Sequence, residues 1–172
     1  MKLTKSKSWI ILFIGLLLIV VSVTVIARND EVKQPIAFNH KKHVDNNVPC
    51  NFCHRLYETT RAAGIPSVKV CITCHEDVLY VTPEKAKIQT YYREGKDIPW
   101  RRIYQAPDHV FFSHRLHIQK GQVECKQCHG EVKTRITPFT QQTVPLKMKY
   151  CISCHEGVES IDNPYECIRC HH

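Results

Sequence analysis

Cysteine and histidine carry the chemistry of this chain. Its ten cysteines form five Cys-x-x-Cys pairs, and a histidine follows each pair directly. The five groups are Cys50, Cys53 and His54; Cys71, Cys74 and His75; Cys125, Cys128 and His129; Cys151, Cys154 and His155; and Cys167, Cys170 and His171. This is the spacing of a c-type haem attachment site. Two thiols so spaced add to the two vinyl groups on one porphyrin edge, and the next residue brings an imidazole under the ring to hold the iron. A single Cys-x-x-Cys also suits half a zinc site or a thioredoxin-like redox pair. Five copies that use every cysteine, each with its histidine, argue against both. A disulfide framework gives no reason for the histidines. The expected cofactor is therefore five haem c.

The axial ligands can be counted. His54, His75, His129, His155 and His171 are the proximal set, and His40, His43, His109, His114, His117 and His172 remain. Five irons need five sixth ligands, so the supply allows every haem to be ligated by two histidines, with one to spare. His40 and His43, like His114 and His117, are three residues apart, and on a helical segment each pair can reach two different haems. His109 and His172 compete for the fifth iron. Met148, three residues before Cys151, is the alternative, and a His/Met haem would have a raised potential.

The elements that must position these groups are short. Beyond the N-terminal segment the chain offers fewer than about thirty residues per haem, too few to build a conventional core around each. The expected fold is mostly irregular with short α-helices carrying the attachment motifs around a haem-dominated core, plus one N-terminal transmembrane helix. A repeat supports this division. Phe38 to His43 and Phe112 to His117 both read Phe-x-His-x-x-His, ending seven residues before Cys50 and eight before Cys125. The expected organisation is an anchor over 1–30 and a pentahaem domain over 31–172. The latter divides into a dihaem part 36–82, a connector 83–108 and a trihaem part 109–172. In the connector, Thr82 and Pro83 predict a helix start and Gly95 a stop, with Ile98-Pro99-Trp100 returning to an extended path.

The anchor rests on Lys2, Lys5 and Lys7 followed by an apolar run of eighteen residues, Trp9 to Ile26. That length is near what a bilayer requires, and it exceeds the usual signal-peptide core of roughly 7 to 15 residues. Val25-Ile26-Ala27 resembles a cleavage site, so a removed signal peptide is the competing reading. The lysines place the N-terminus in the cytoplasm and everything after Arg28 on the periplasmic side of the inner membrane. The formal charge of +8 is offset by the cofactors. Ten propionates and five ferric cores bring the oxidised holoprotein to roughly +3. No base-reading motif accompanies the charge, so nucleic acid is not an expected partner.

The Phe-x-His-x-x-His plus Cys-x-x-Cys-His arrangement resembles the class III cytochromes of the c3 and c7 type. Gly64-Ile65-Pro66, Ile98 to Arg102, Pro107 to His114 and Pro145 to Tyr150 are similar to the membrane-anchored pentahaem cytochrome of alternative complex III and of the quinone reductase complex. This resemblance implies a respiratory role, with other redox proteins or subunits of a membrane complex as partners and any quinone contact indirect. Family members often have a histidine where this chain has Tyr104. His172 resembles the second histidine of the c3 pattern Cys-x-x-Cys-His-His, which ligates a neighbouring haem there.

Electron transfer is the leading expectation, with no catalytic residues. A one-anchor quinol dehydrogenase has a similar layout. A multihaem reductase needs an iron with an exchangeable position, which the surplus of histidines argues against.

Overall fold

The computed structural model describes residues 9–10, 14–15, 17, 32–77 and 79–171. It divides into two units, Met1–Glu31 and Val32–His172. The described residues of the first unit are helical. Among the described residues no helix is long and apolar enough to cross a membrane. Most of the expected anchor, like His172, lies outside them.

The second unit is built from short helices. They are α1 His40–Asp45, α2 Cys50–Cys53, α3 Val68–His75, α4 Pro83–Arg93, α5 Cys125–His129, α6 Met148–His155 and α7 Cys167–Cys170. A π-helical turn spans Leu116–Lys120 and a 3-10 turn Val132–Thr134. No strand occurs among the described residues; one antiparallel bridge pairs Val110 with His171. Every attachment motif therefore begins on a helical turn. The reason is geometric: residues i and i+3 on a helix share a face, so one turn presents both sulfurs of Cys-x-x-Cys to the same side.

Local signals set the helix ends. Asn39 Oδ1 accepts the Lys42 N–H at 3.0 Å and starts α1. Thr82 caps α4 by accepting the Lys85 N–H at 3.2 Å, and Pro83 follows in the first turn, as the sequence predicts. Just past α4, Gly95 takes φ +66°, the left-handed conformation that terminates helices.

The buried apolar cluster is small: Ile36, Val68, Ile72, Ile88 and Ile98, with Cys71, Tyr91 and Trp100 packed against it. Each such side chain contributes about 1.5–3 kcal/mol, far less in total than ordering this length of chain costs. The cluster is also local. It lies where α4 packs on α3, so the connector walls the second attachment motif. Two hydrogen bonds reinforce the contact. Asp97 accepts the Val68 N–H at 2.8 Å, and Gln89 donates to the His75 carbonyl at 3.2 Å.

Candidate haem-binding sites

All ten cysteines are free of disulfides. Burial pushes the thiols of Cys53, Cys71, Cys128 and Cys151 above their ordinary value. This is the opposite of the depression that a catalytic thiolate requires. Among the described residues no group of three or more His, Cys, Asp or Glu side chains converges as a zinc site would need. The pairs stand as separate sites, each with its histidine.

Four imidazoles have their orientation fixed by a backbone carbonyl. His43 Nδ1 donates to Asn39 O at 2.9 Å, His54 Nδ1 to Gly64 O at 2.9 Å, His114 Nδ1 to Arg61 O at 3.0 Å, and His117 Nδ1 to Ser113 O at 2.8 Å. A carbonyl can only accept, so Nδ1 carries the proton and Nε2 keeps its lone pair for a metal. Burial acts in the same direction. It lowers the pKa of His75, His114, His129 and His155, and that of His40 to about 4, holding these rings in the neutral form that ligates.

The rings also come together in pairs. Imidazole nitrogens bond metals at about 2.0–2.1 Å, so two rings on opposite sides of one iron have centroids roughly 6 Å apart. His43 and His75 lie 6.1 Å apart, His114 and His129 6.4 Å, and His117 and His155 6.1 Å. His109 stacks against His171 at 5.3 Å. The backbone holds that contact: the Phe111 N–H donates to the Cys170 carbonyl at 2.7 Å, next to the Val110–His171 bridge. His40 remains, and its pKa is depressed first by burial and then by the charge of neighbouring His54. Four of the five motif histidines thus each have a different imidazole beside them, His43, His109, His114 or His117. Met148 opens α6 and is 66% exposed.

Several side chains that the sequence did not mark as functional hold these rings. In both repeats the phenylalanine wedges between the two histidines. Phe38 stacks on His43 at 4.5 Å and meets His40 edge-on at 4.7 Å, while Phe112 stacks on His117 at 4.6 Å and meets His114 edge-on at 4.9 Å. Tyr104 packs on His129 at 4.4 Å. Its hydroxyl donates to Cys128 O at 3.2 Å and accepts the Thr143 N–H at 2.7 Å. The phenol thus braces the third attachment site. Phe139 lies edge-on to both His40 and His129, at 5.8 and 6.3 Å, beneath the Arg135 guanidinium. The repeat of Phe-x-His-x-x-His was the signal for the first two; nothing local marks Tyr104 or Phe139.

The residues fit haem c. Paired thiols share a helical face, and the imidazole pairs His43 with His75, His114 with His129 and His117 with His155 lie near the separation that one iron demands. Among the described residues, two buried nitrogens, His40 Nδ1 and Trp100 Nε1, have no hydrogen-bond partner.

Comparison with known proteins points the same way. Residues 19–98 match the class III cytochrome C family, and residues 110–172 match cytochrome c7 and related cytochrome c. The multiheme cytochrome c subunit of a menaquinone reductase from Nitratidesulfovibrio vulgaris (strain Hildenborough) is 36% identical over 165 aligned residues. That alignment covers 81% of this chain and 77% of the relative.

Proposed function

This chain belongs to the class III and c7-type multihaem cytochromes c, and from that premise we propose that it is a membrane-anchored, five-haem electron-transfer subunit of a quinone-linked respiratory complex. The observation that carries the haem part of this reading is the pairing of the imidazoles. His43 with His75, His114 with His129, His117 with His155 and His109 with His171 stand 5.3–6.4 Å apart, and His40 is left for His54. In this reading the ten cysteines attach the haems, the motif histidines are proximal ligands, and His40, His43, His109, His114 and His117 are distal. His172 and Met148 are then not needed as ligands.

Bound haem c supplies a one-electron ferric/ferrous couple. The chain's own residues hold its position and set its environment. Each motif fixes an edge by two thioethers and a face by an imidazole. The carbonyls of Asn39, Gly64, Arg61 and Ser113 keep four of those imidazoles in one tautomer and orientation, which would present their Nε2 atoms to the haem. With His40, His43, His109, His114 and His117 as second ligands, each haem would be held by two histidines and no iron would be open to a substrate, which favours a carrier over a reductase.

Placement in a complex draws on a relative described as a menaquinone reductase subunit. The apolar run Trp9 to Ile26 serves as the anchor, with the haem domain on the periplasmic side and partner subunits making any contact with quinone. Pyridine haemochrome and intact-mass measurements on holoprotein should give five haems per chain, with low-spin spectra and little binding of carbon monoxide. Purification from native membranes should bring other redox subunits with it. Three haems or fewer, or a stoichiometric high-spin haem, would overturn the proposal.

A further inference from the structure

The attachment sites do not follow one another in space as they do in sequence. We infer that they form a single path in the order Cys71–His75, Cys50–His54, Cys125–His129, Cys151–His155, Cys167–His171. The second and fifth sites are then its ends, and the junction between the two halves runs from the first site to the third. The inference rests on the five-haem reading above.

The junction carries the argument. Phe139 touches His40 on one side and His129 on the other. The loop after the first motif holds the second ligand segment: the Arg61 carbonyl accepts from both the His114 N–H and its Nδ1, each at 3.0 Å, and Thr60 O accepts the Arg115 N–H at 3.3 Å. Arg61 also lies over the Phe111 ring at 3.7 Å. From the other direction, the Lys41 N–H in α1 donates to Arg135 O at 2.9 Å, and α1 packs on the 3-10 turn that follows the third motif. The contacts that cross between the halves include the first site, α1, Val32 and Gln34 near the start of the unit, and the segment around Tyr104.

The remaining neighbours are set by shared segments. His40 and His43 lie on one helix, which makes the first and second sites adjacent. His114 and His117 do the same for the third and fourth, and the Tyr150 hydroxyl donates to Gln127 O at 2.8 Å to tie those two motifs. The fourth and fifth are joined where the Tyr165 hydroxyl bonds the Glu156 carboxylate, and Cys151 lies within electrostatic reach of Cys170. An electron moving along this path oxidises one iron as it reduces the next. No bond is made or broken, and no proton is required.

Replacing a distal histidine by methionine raises the potential of one haem and so marks it in a potentiometric titration of the holoprotein. A double-variant cycle then reads coupling between two marks. The shifts from His40→Met and His114→Met should be non-additive, because their haems are neighbours, whereas those from His43→Met and His114→Met should add. Equal or stronger coupling in the second pair would overturn the order. Should a variant fail to mature, nuclear magnetic resonance of the native holoprotein decides the matter. Phe139 protons should show Overhauser contacts to the haems of His54 and His129; contacts to the haem of His75 would overturn the order. Haem counting on the same samples separates the two failures. Five low-spin haems with the wrong coupling removes only the order, whereas fewer than five removes the five-haem reading and the order with it.

Discussion

A histidine becomes a dependable iron ligand when something else in the protein decides its tautomer. Here a main-chain carbonyl makes that decision at His43, His54, His114 and His117, and burial keeps a second set of rings neutral. His109 is held differently, through its neighbours: the Val110–His171 bridge and the Phe111 to Cys170 bond fix the backbone on both sides of the stacked rings. Replacing His109 by alanine should therefore open the iron of the fifth site without releasing its haem, because both thioethers and His171 remain. Electron paramagnetic resonance should show one high-spin haem among five, able to bind carbon monoxide. The variant His172→Ala should stay low-spin throughout. The reverse pattern would assign the ligand to His172, and low-spin spectra in both would point to Met148.

At the scale of elements, the same sequence device is folded in two ways. Asn39 starts a regular helix, α1, over the first histidine pair, whereas the second pair runs into a π-helical turn closed by the Gly121 N–H bonding Leu116 O at 3.0 Å. Both hold their phenylalanine wedge, so the ring geometry survives the change of helix type. The ends of attachment helices are less forgiving. Gly130 follows His129 directly and takes φ +67°, ψ −163°, a conformation that is essentially confined to glycine. A Cβ there would also meet the Thr143 side chain at 3.0 Å. Gly130→Ala should destabilise the holoprotein by about 1–3 kcal/mol, read as a lowered thermal unfolding midpoint. Gly95→Ala should cost less, since a Cβ there meets nothing within 4 Å and only the backbone strain remains. Equal losses in the two variants would contradict this account of the third site.

At the scale of the whole molecule, the buried apolar cluster among the described residues numbers five side chains, which leaves cofactor attachment as the main source of cohesion and allows the chain to be so loop-rich. Its formal charge of +8 offsets propionate carboxylates. The proposed anchor belongs to the same scale, because it would restrict this charge and the haems to one side of a membrane. Intact mass of protein purified from its native membranes should show Met1 or Lys2 retained, and detergent should be needed for extraction. A mature chain beginning at Arg28 would instead describe a soluble periplasmic carrier.

The haem c chemistry was legible in the sequence by itself, because Cys-x-x-Cys-His is a local code in which one helical turn presents both thiols and the next residue an imidazole. The connector helix was legible for the same reason: Thr82, Pro83 and Gly95 act on their own backbone. The pairing of distal with proximal histidines was not legible, since His109 and His171 are 62 residues apart in the chain and meet only through a bridge between distant segments. Nor were the supports at Tyr104 and Phe139, whose partners come from distant segments of the chain. Histidine count left the fifth ligand open between His109 and His172, because counting is blind to distance. Tertiary structure alone set His109 against His171, and it alone put the first attachment site, rather than the second, beside the third.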